Sequence, residues 1–405
     1  MLQLLSHLNQ YIIKVISVSL LIFFGGIAAA QDFDLDKRVK KQNATPTVTN
    51  TRLNYANTDH LPKLDVIVPV FDPNIPKKDK DNVWPEVRRA EANRFAWMMK
   101  QALEKSQAFG AVRVTPNDSG FGEIYVHGKI LRANGEDIRL EITVNDIRGK
   151  KKTWIKNKKF KYRVQESFHK SPRTQGTDSY APIFDMIAQE IVKKLAKKKA
   201  KDLNKLPAIT EMRFANMFGS EYFGKYIKEK RGSYKLVGLP DESDQVYAKI
   251  RSMRIQEQLF VDQLQPHYED FSARMNPHYF AWQKHALPIA KERRKQKRAA
   301  ILGTIAAIGG TVVAATSDNR TVQTVGVAAA VGGGLVAFKK FGDAKASASV
   351  LDEMGSTLNL DMGVQVVEFE GIQTKLEGDA IDQFVGYRGH LLKIYESEYT
   401  PDVQL

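Results

Sequence analysis

Residues Gly122 to Phe160 read GEIYVHGKILRANGEDIRLEITVNDIRGKKKTWIKNKKF. Ile124, Val126, Gly128 and Ile130 alternate with polar residues, and after Asn134-Gly135 the residues Ile138, Leu140, Ile142 and Val144 alternate again. A period of two turns one side of each run toward a core. Asn-Gly suits the tight turn between such runs, because both residues tolerate positive φ. The stretch therefore predicts a β-hairpin. A second turn at Arg148-Gly149 leads into a third strand over Thr153 to Val164, with Trp154, Phe160 and Tyr162 as sheet residues.

Upstream, Leu64 to Phe71 (LDVIVPVF) is a short apolar run that fits a buried strand, with Pro69 favouring an edge or a strand end. From Val83 to Ser106 the spacing becomes helical. Val87, Ala90, Phe95, Met98, Met99, Ala102 and Leu103 form the apolar stripe, with Arg88, Arg89, Glu91, Lys100 and Glu104 elsewhere. Ala111 to Val114 suggests a short strand, and Asp178 to Lys199 an amphipathic helix through Ile183, Ile187, Ile191 and Leu195.

Downstream, Leu206 to Arg298 reads as mainly helical, with Asp241 to Met275 as one long helix or two and no repeat of consistent period. Tyr268, Phe271, Tyr279, Phe280 and Trp282 gather here and fit a helix-bundle core. Between Ala299 and Phe338 lie two apolar, glycine-dotted runs joined by Ser317-Asp318-Asn319-Arg320. Ala299, Gly303 and Ala307, then Ala306, Gly310 and Ala314, then Gly326, Ala330 and Gly334 recur at every fourth position. That spacing lets helix backbones approach closely. The expected packing residues are Gly303, Gly309, Gly310, Gly326, Ala330, Gly333 and Gly334. Basic residues bracket the runs: Arg293, Arg294, Lys295, Lys297 and Arg298 before, Lys339 and Lys340 after, placed to meet an acidic surface. In the tail, Asp343 to Asn359 reads as a helix, Val364 to Phe369 as a strand and Gly378 to Glu396 as a helix.

The expected class is α+β: a signal peptide, a small α/β domain with an antiparallel hairpin, then a mainly helical region carrying a glycine-rich helical hairpin. The divisions are 1–30 signal peptide, 31–62 linker, 63–203 α/β domain, 204–298 helical region, 299–338 glycine-zipper hairpin and 339–405 mixed tail. The signal reading rests on Lys14, the apolar Val15 to Ile27 and the small Ala28-Ala29-Ala30 before Gln31. It places the protein in the periplasm, or on the periplasmic face of the outer membrane, of a Gram-negative cell. The 405 residues contain no cysteine, which removes disulfides, thiolate metal sites and lipoprotein acylation. A net charge of +15 without a nucleic-acid module points to membrane lipid or lipopolysaccharide, with an envelope protein and a further copy of the chain as other partners and no nucleic acid.

The segments DVIVPVF, EANRFAWMMKQALEKS, AFGAVRV and the Gly122–Phe160 stretch, with the closing helix, resemble the periplasmic α/β domain at the N-terminus of TolB and the related curli-secretion lipoprotein CsgG. The resemblance covers Leu64 to Lys199. It implies an assembly and recognition module rather than an enzyme. The chain departs from those families in having no β-propeller repeat, no lipidation cysteine and no long amphipathic barrel strands.

No GxSxG elbow, P-loop or HExxH spacing occurs. His127, His267, His278 and His285 lack ligand spacing, and Glu377, Asp379 and Asp382 read as a helix start favoured by the macrodipole. No catalytic, cofactor or metal residue is assigned. The expected function is a non-enzymatic envelope assembly or scaffold protein. The alternatives are a soluble periplasmic ring-forming or binding subunit of a secretion or flagellar structure and, with less support, a cell-wall or glycan-processing enzyme.

Overall fold

The alternating runs form antiparallel strands β3 (Ile124–Ala133) and β4 (Asp137–Asp146). At their turn the Asn134 carboxamide oxygen accepts the N–H groups of Glu136 and Asp137 at 3.1 and 2.7 Å, and Gly135 takes φ of 85°. The computed structural model describes residues 55–76, 85–149, 152–314, 365–369 and 372–399, with the backbone alone over 299–314. Residues 1–54, where the signal peptide and most of the linker were expected, lie outside it, as does the 343–359 helix.

Strands β1 (Val66–Pro69) and β2 (Val112–Thr115) run parallel, joined through helix α1 (Pro85–Lys105), and β5 (Thr153–Arg163) follows β4 antiparallel. The sheet order is β2-β1-β3-β4-β5. The fold is thus mixed α/β, with a mixed sheet and small antiparallel hairpins elsewhere. Pro69 ends its strand as expected, but β1 is interior, not an edge. Its pairing with β3 stops at Ile67, so the N–H that proline lacks falls beyond that ladder.

Helix α2 (Ala181–Leu195) buries Ile183, Phe184, Ile187, Ala188, Ile191, Val192 and Leu195 against α1 and β5. Helix α3 (Leu206–Phe218) and a short hairpin of β6 (Ile227–Glu229) and β7 (Tyr234–Leu236) follow. The C-terminal region contributes β8 (Gln365–Phe369), β9 (Ile372–Leu376) and helix α5 (Ala380–Tyr399). The Asp379 carboxylate accepts the N–H groups of Ile381 and Asp382 and so caps α5, and Glu377 and Asp382 stand exposed beside it.

The longest element is helix α4 (Gln245–Ala314), 70 residues where the sequence suggested a helix ending at Met275. Its buried face recurs every eleven residues: Met253, Leu264, Met275 and Ala286; Glu257, Tyr268, Tyr279 and Ala290; Phe260, Phe271 and Trp282. Eleven residues fill three turns at 3.67 per turn, close to the 3.6 of an unstrained helix, so one face stays inward over a long path. This is a repeat of consistent period where none was expected. Pro266, Pro277 and Pro288 follow the same interval, with Pro266 and Pro277 exposed. Each removes one backbone bond and crowds the carbonyl four residues earlier. On the outer side that carbonyl is open to solvent, which lowers the cost, and the helix continues. The aromatics of α4 pack between helices and against the sheet unit. Tyr279 lies against Tyr180, and Phe260 stacks on Tyr387 of α5 at 4.4 Å between ring centres.

The exposed side of β2 is closed by this helix. Gln265 accepts the Val114 N–H through Oε1 and donates to the Val114 carbonyl through Nε2, both at 2.9 Å, as a neighbouring strand would. The Arg113 guanidinium beside it bonds Asp262 of α4 and Asp65 at the start of β1.

Candidate functional site

Of the α1 side chains expected off the apolar stripe, Arg88 and Glu91 face α4, together with Arg94, which that reading did not name, whereas Arg89 and Glu104 stay exposed and Lys100 bonds the Val112 carbonyl. Arg88, Glu91 and Arg94 are buried, because α1 carries the sheet on one side and α4 on the other. The Arg88 guanidinium meets Glu91 at 3.0 Å, and the Tyr279 hydroxyl of α4 donates to the other Glu91 oxygen at 2.7 Å. Arg94 donates twice to Asp178 and once to the Ser272 carbonyl, and Gln283 of α4 donates to Asp178 at 2.8 Å. The Tyr180 hydroxyl accepts the N–H groups of Asn134 and Gly135, tying this lock to the β3–β4 turn. Two cations and two carboxylates balance, which makes burial tolerable. Complete burial still pushes the Glu91 carboxyl up to about 7, against the pull of Arg88 and the Tyr279 hydrogen bond.

A second lock holds α5. Arg388 donates from Nη2 to Glu257 of α4 and to the Ser119 carbonyl, both at 2.6 Å, while Arg254 pairs with Glu123 at 3.4 Å. Arg254 and Glu257 line a small cleft with Ile67, Arg113, Phe121, Gln258 and Val261. Glu257 Oε2, Arg254 Nε and Arg388 Nε are buried without a protein hydrogen-bond partner. Burial raises the Glu257 carboxyl, opposed by Arg388 and Arg254. Small-molecule pockets run to about 300–1,000 Å³, whereas this cleft has room for little more than one water. Its charges serve the junction of α4, α5 and the sheet.

A third lock closes the far end. Arg294 donates to Glu136 at 2.9 Å beside the β3–β4 turn, and Lys291 pairs with Glu166. Arg294, expected on an acidic surface, is thus half-buried in an intramolecular pair. Lys295 is exposed and near Glu292 at 3.8 Å, Arg298 is exposed, and Arg293 has an interaction within the protein. Lys297 lies on the α4 backbone. Gly303, Gly309 and Gly310 also fall on the α4 backbone, which is helical to Ala314. Gly326, Ala330, Gly333, Gly334, Lys339 and Lys340 lie outside the described residues.

His267, His278 and His285 ride on α4, and burial lowers the pKa of His127 in β3. Among the described residues no three His, Cys, Asp or Glu side chains gather as a metal ion requires. No described helix is long and apolar enough to cross a membrane. The locking residues carried little sequence signal. Buried and exposed charges look alike in a sequence; only the eleven-residue recurrence of Tyr268/Tyr279 and Ser272/Gln283 marks the inward positions.

Searches with family models, against curated proteins and against solved structures found no match to this chain.

Proposed function

We propose that this protein is a non-enzymatic cell-envelope scaffold, in which the α/β unit recognises a protein partner and α4 carries the glycine-zipper hairpin to a membrane or to another copy of the chain. One observation carries the reading. Polar contacts fix α4 to the folded unit from Arg254 to Arg294, and its helical backbone then continues to Ala314. Past the basic residues to Arg298, sixteen uncharged residues at 1.5 Å each reach about 24 Å, short of the roughly 30 Å of hydrocarbon, so this stretch enters a bilayer rather than crossing it alone. Ala299, Gly303 and Ala307 place small residues along that extension for close packing against the second apolar run. The resemblance of Leu64 to Lys199 to TolB-type and CsgG-type periplasmic domains agrees with an assembly role.

The test is alkaline carbonate extraction of cells expressing the full chain or the chain lacking Ala299–Phe338. The full chain is expected in the membrane pellet and the deletion in the extract. Release of both would discard the membrane role and leave the second reading, a soluble ring-forming subunit. That alternative draws on the exposed Ile255 and Leu259 of α4 and Ile381 and Val385 of α5, which offer apolar contact area to another subunit.

A further inference from the structure

Three basic segments far apart in the sequence meet at one end of the molecule. Lys193 to Lys201 (KKLAKKKAK) ends α2, Arg148 and Lys152 flank the β4–β5 turn, and Lys228, Lys230, Arg231 and Lys235 stud the β6–β7 hairpin. The two hairpins are joined backbone to backbone: Gly149 bridges Ser233, and the Tyr234 N–H donates to the Arg148 carbonyl at 2.9 Å. Only glycine fits at 149, where a Cβ would stand 2.3 Å from the Gly232 carbonyl oxygen and φ is 97°. On the other side, Lys198 Nζ lies 4.9 Å from the centre of the Trp154 ring in β5.

Acids are outnumbered: Glu190 pairs with Lys194 at 3.8 Å, Asp202 acts on Arg148 and Glu229 stands in β6 among the hairpin lysines, leaving most of the cations uncompensated. Asp146 is fully buried and saturated by the Arg148 guanidinium, the Arg148 N–H and the Trp154 indole N–H. Lys152, Lys193, Lys197, Lys230 and Arg231 are exposed. Partial burial, together with Arg148, Lys152 and Lys194 nearby, lowers the Lys198 pKa despite the attraction of Asp146. Repulsion of this kind is relieved when an anion binds.

We infer that this basic end docks on a phosphate-bearing bilayer surface rich in acidic headgroups. Lysine predominates, so the surface offers mobile point charges to a field of phosphates rather than rigid forks for single groups. Aromatic platforms for nucleobases are taken: Trp154 is buried beneath Lys198, and the Arg213 guanidinium covers the Tyr234 ring at 3.9 Å. The site goes beyond the hairpin reading. It lies at the Thr153 end of β5, whereas the Arg294–Glu136 lock lies near the opposite, Arg163 end. Ten strand steps separate these ends by about 30 Å, so the basic end engages lipid independently of the apolar run.

The experiment is flotation of the full chain with vesicles of pure phosphatidylcholine, or with a phosphatidylglycerol admixture, over rising salt. Wild type is expected to bind the acidic vesicles about tenfold more tightly than neutral ones, with the gain lost at high salt. The triple variant Lys152→Glu, Lys197→Glu, Arg231→Glu removes that gain and leaves neutral-vesicle binding, the hairpin's share, unchanged. The corresponding Gln variants give the same order of effect if the reversed charges impair folding. Equal binding of folded variants and wild type to acidic vesicles overturns the inference. So does wild-type binding of tripolyphosphate or single-stranded DNA without acidic-vesicle preference.

Discussion

Glu91 carries a proton-linked element of stability. Its environment comprises Arg88 and Arg94 on α1, Asp178 and Tyr180 at the start of α2, and Tyr279 on α4. Burial raises its folded pKa to about 7, above an ordinary carboxylate. The folded state therefore holds a proton that the unfolded chain has released between about pH 4.5 and 7, and stability falls as pH rises through that window. The full effect is of the order of 3 kcal/mol. Glu91→Gln should remove this slope. Urea midpoints of wild type and variant from pH 4 to 9 should run together at the acid end and separate toward pH 7, with the wild type losing more. Parallel curves across the whole range would mean that Glu91 titrates as an exposed carboxylate does.

At the scale of elements, Gln265 does for β2 what a sixth strand would do. Its carboxamide is the right length to present one donor and one acceptor to Val114 while remaining on a helix. Gln265→Leu should cost about 1–3 kcal/mol by leaving the Val114 N–H and carbonyl without these bonds. It should also make the β2 edge sticky. Sedimentation velocity should show concentration-dependent association of the variant beyond that of wild type, alongside a lower denaturation midpoint. β5, at the other edge, manages the same liability differently, with exposed Lys156, Lys158, Lys159 and Lys161.

For the whole molecule, the register of α4 determines which locks close. One alanine inserted after Asn276 rotates everything downstream by about 100° and would turn Tyr279, Gln283 and Arg294 away from Glu91, Asp178 and Glu136. The same insertion after Arg298 lies beyond the last of these locks. The first should lower the unfolding midpoint by several kcal/mol equivalent, since it disrupts a buried ionic network, and the second should leave it nearly unchanged. Thermal and urea denaturation of the two insertions separate these outcomes. Equal, small effects would show that α4 is seated by generic apolar contact.

Alternation in the 124–144 stretch, the Asn134-Gly135 turn and the amphipathic spacing of 83–106 were legible because each is local: period two, positive φ and period 3.6 follow from neighbouring residues. Burial of Arg88, Glu91 and Arg94 was not, since a charge becomes an interior group only when a distant partner arrives, and theirs stand at Asp178, Ser272 and Tyr279. Nor could sequence alone show that the lysines of 193–201, the 148–152 turn and the 228–235 hairpin share one end of the molecule. Local periodicity determined the elements; long-range pairing of charge and backbone decided which surfaces they built.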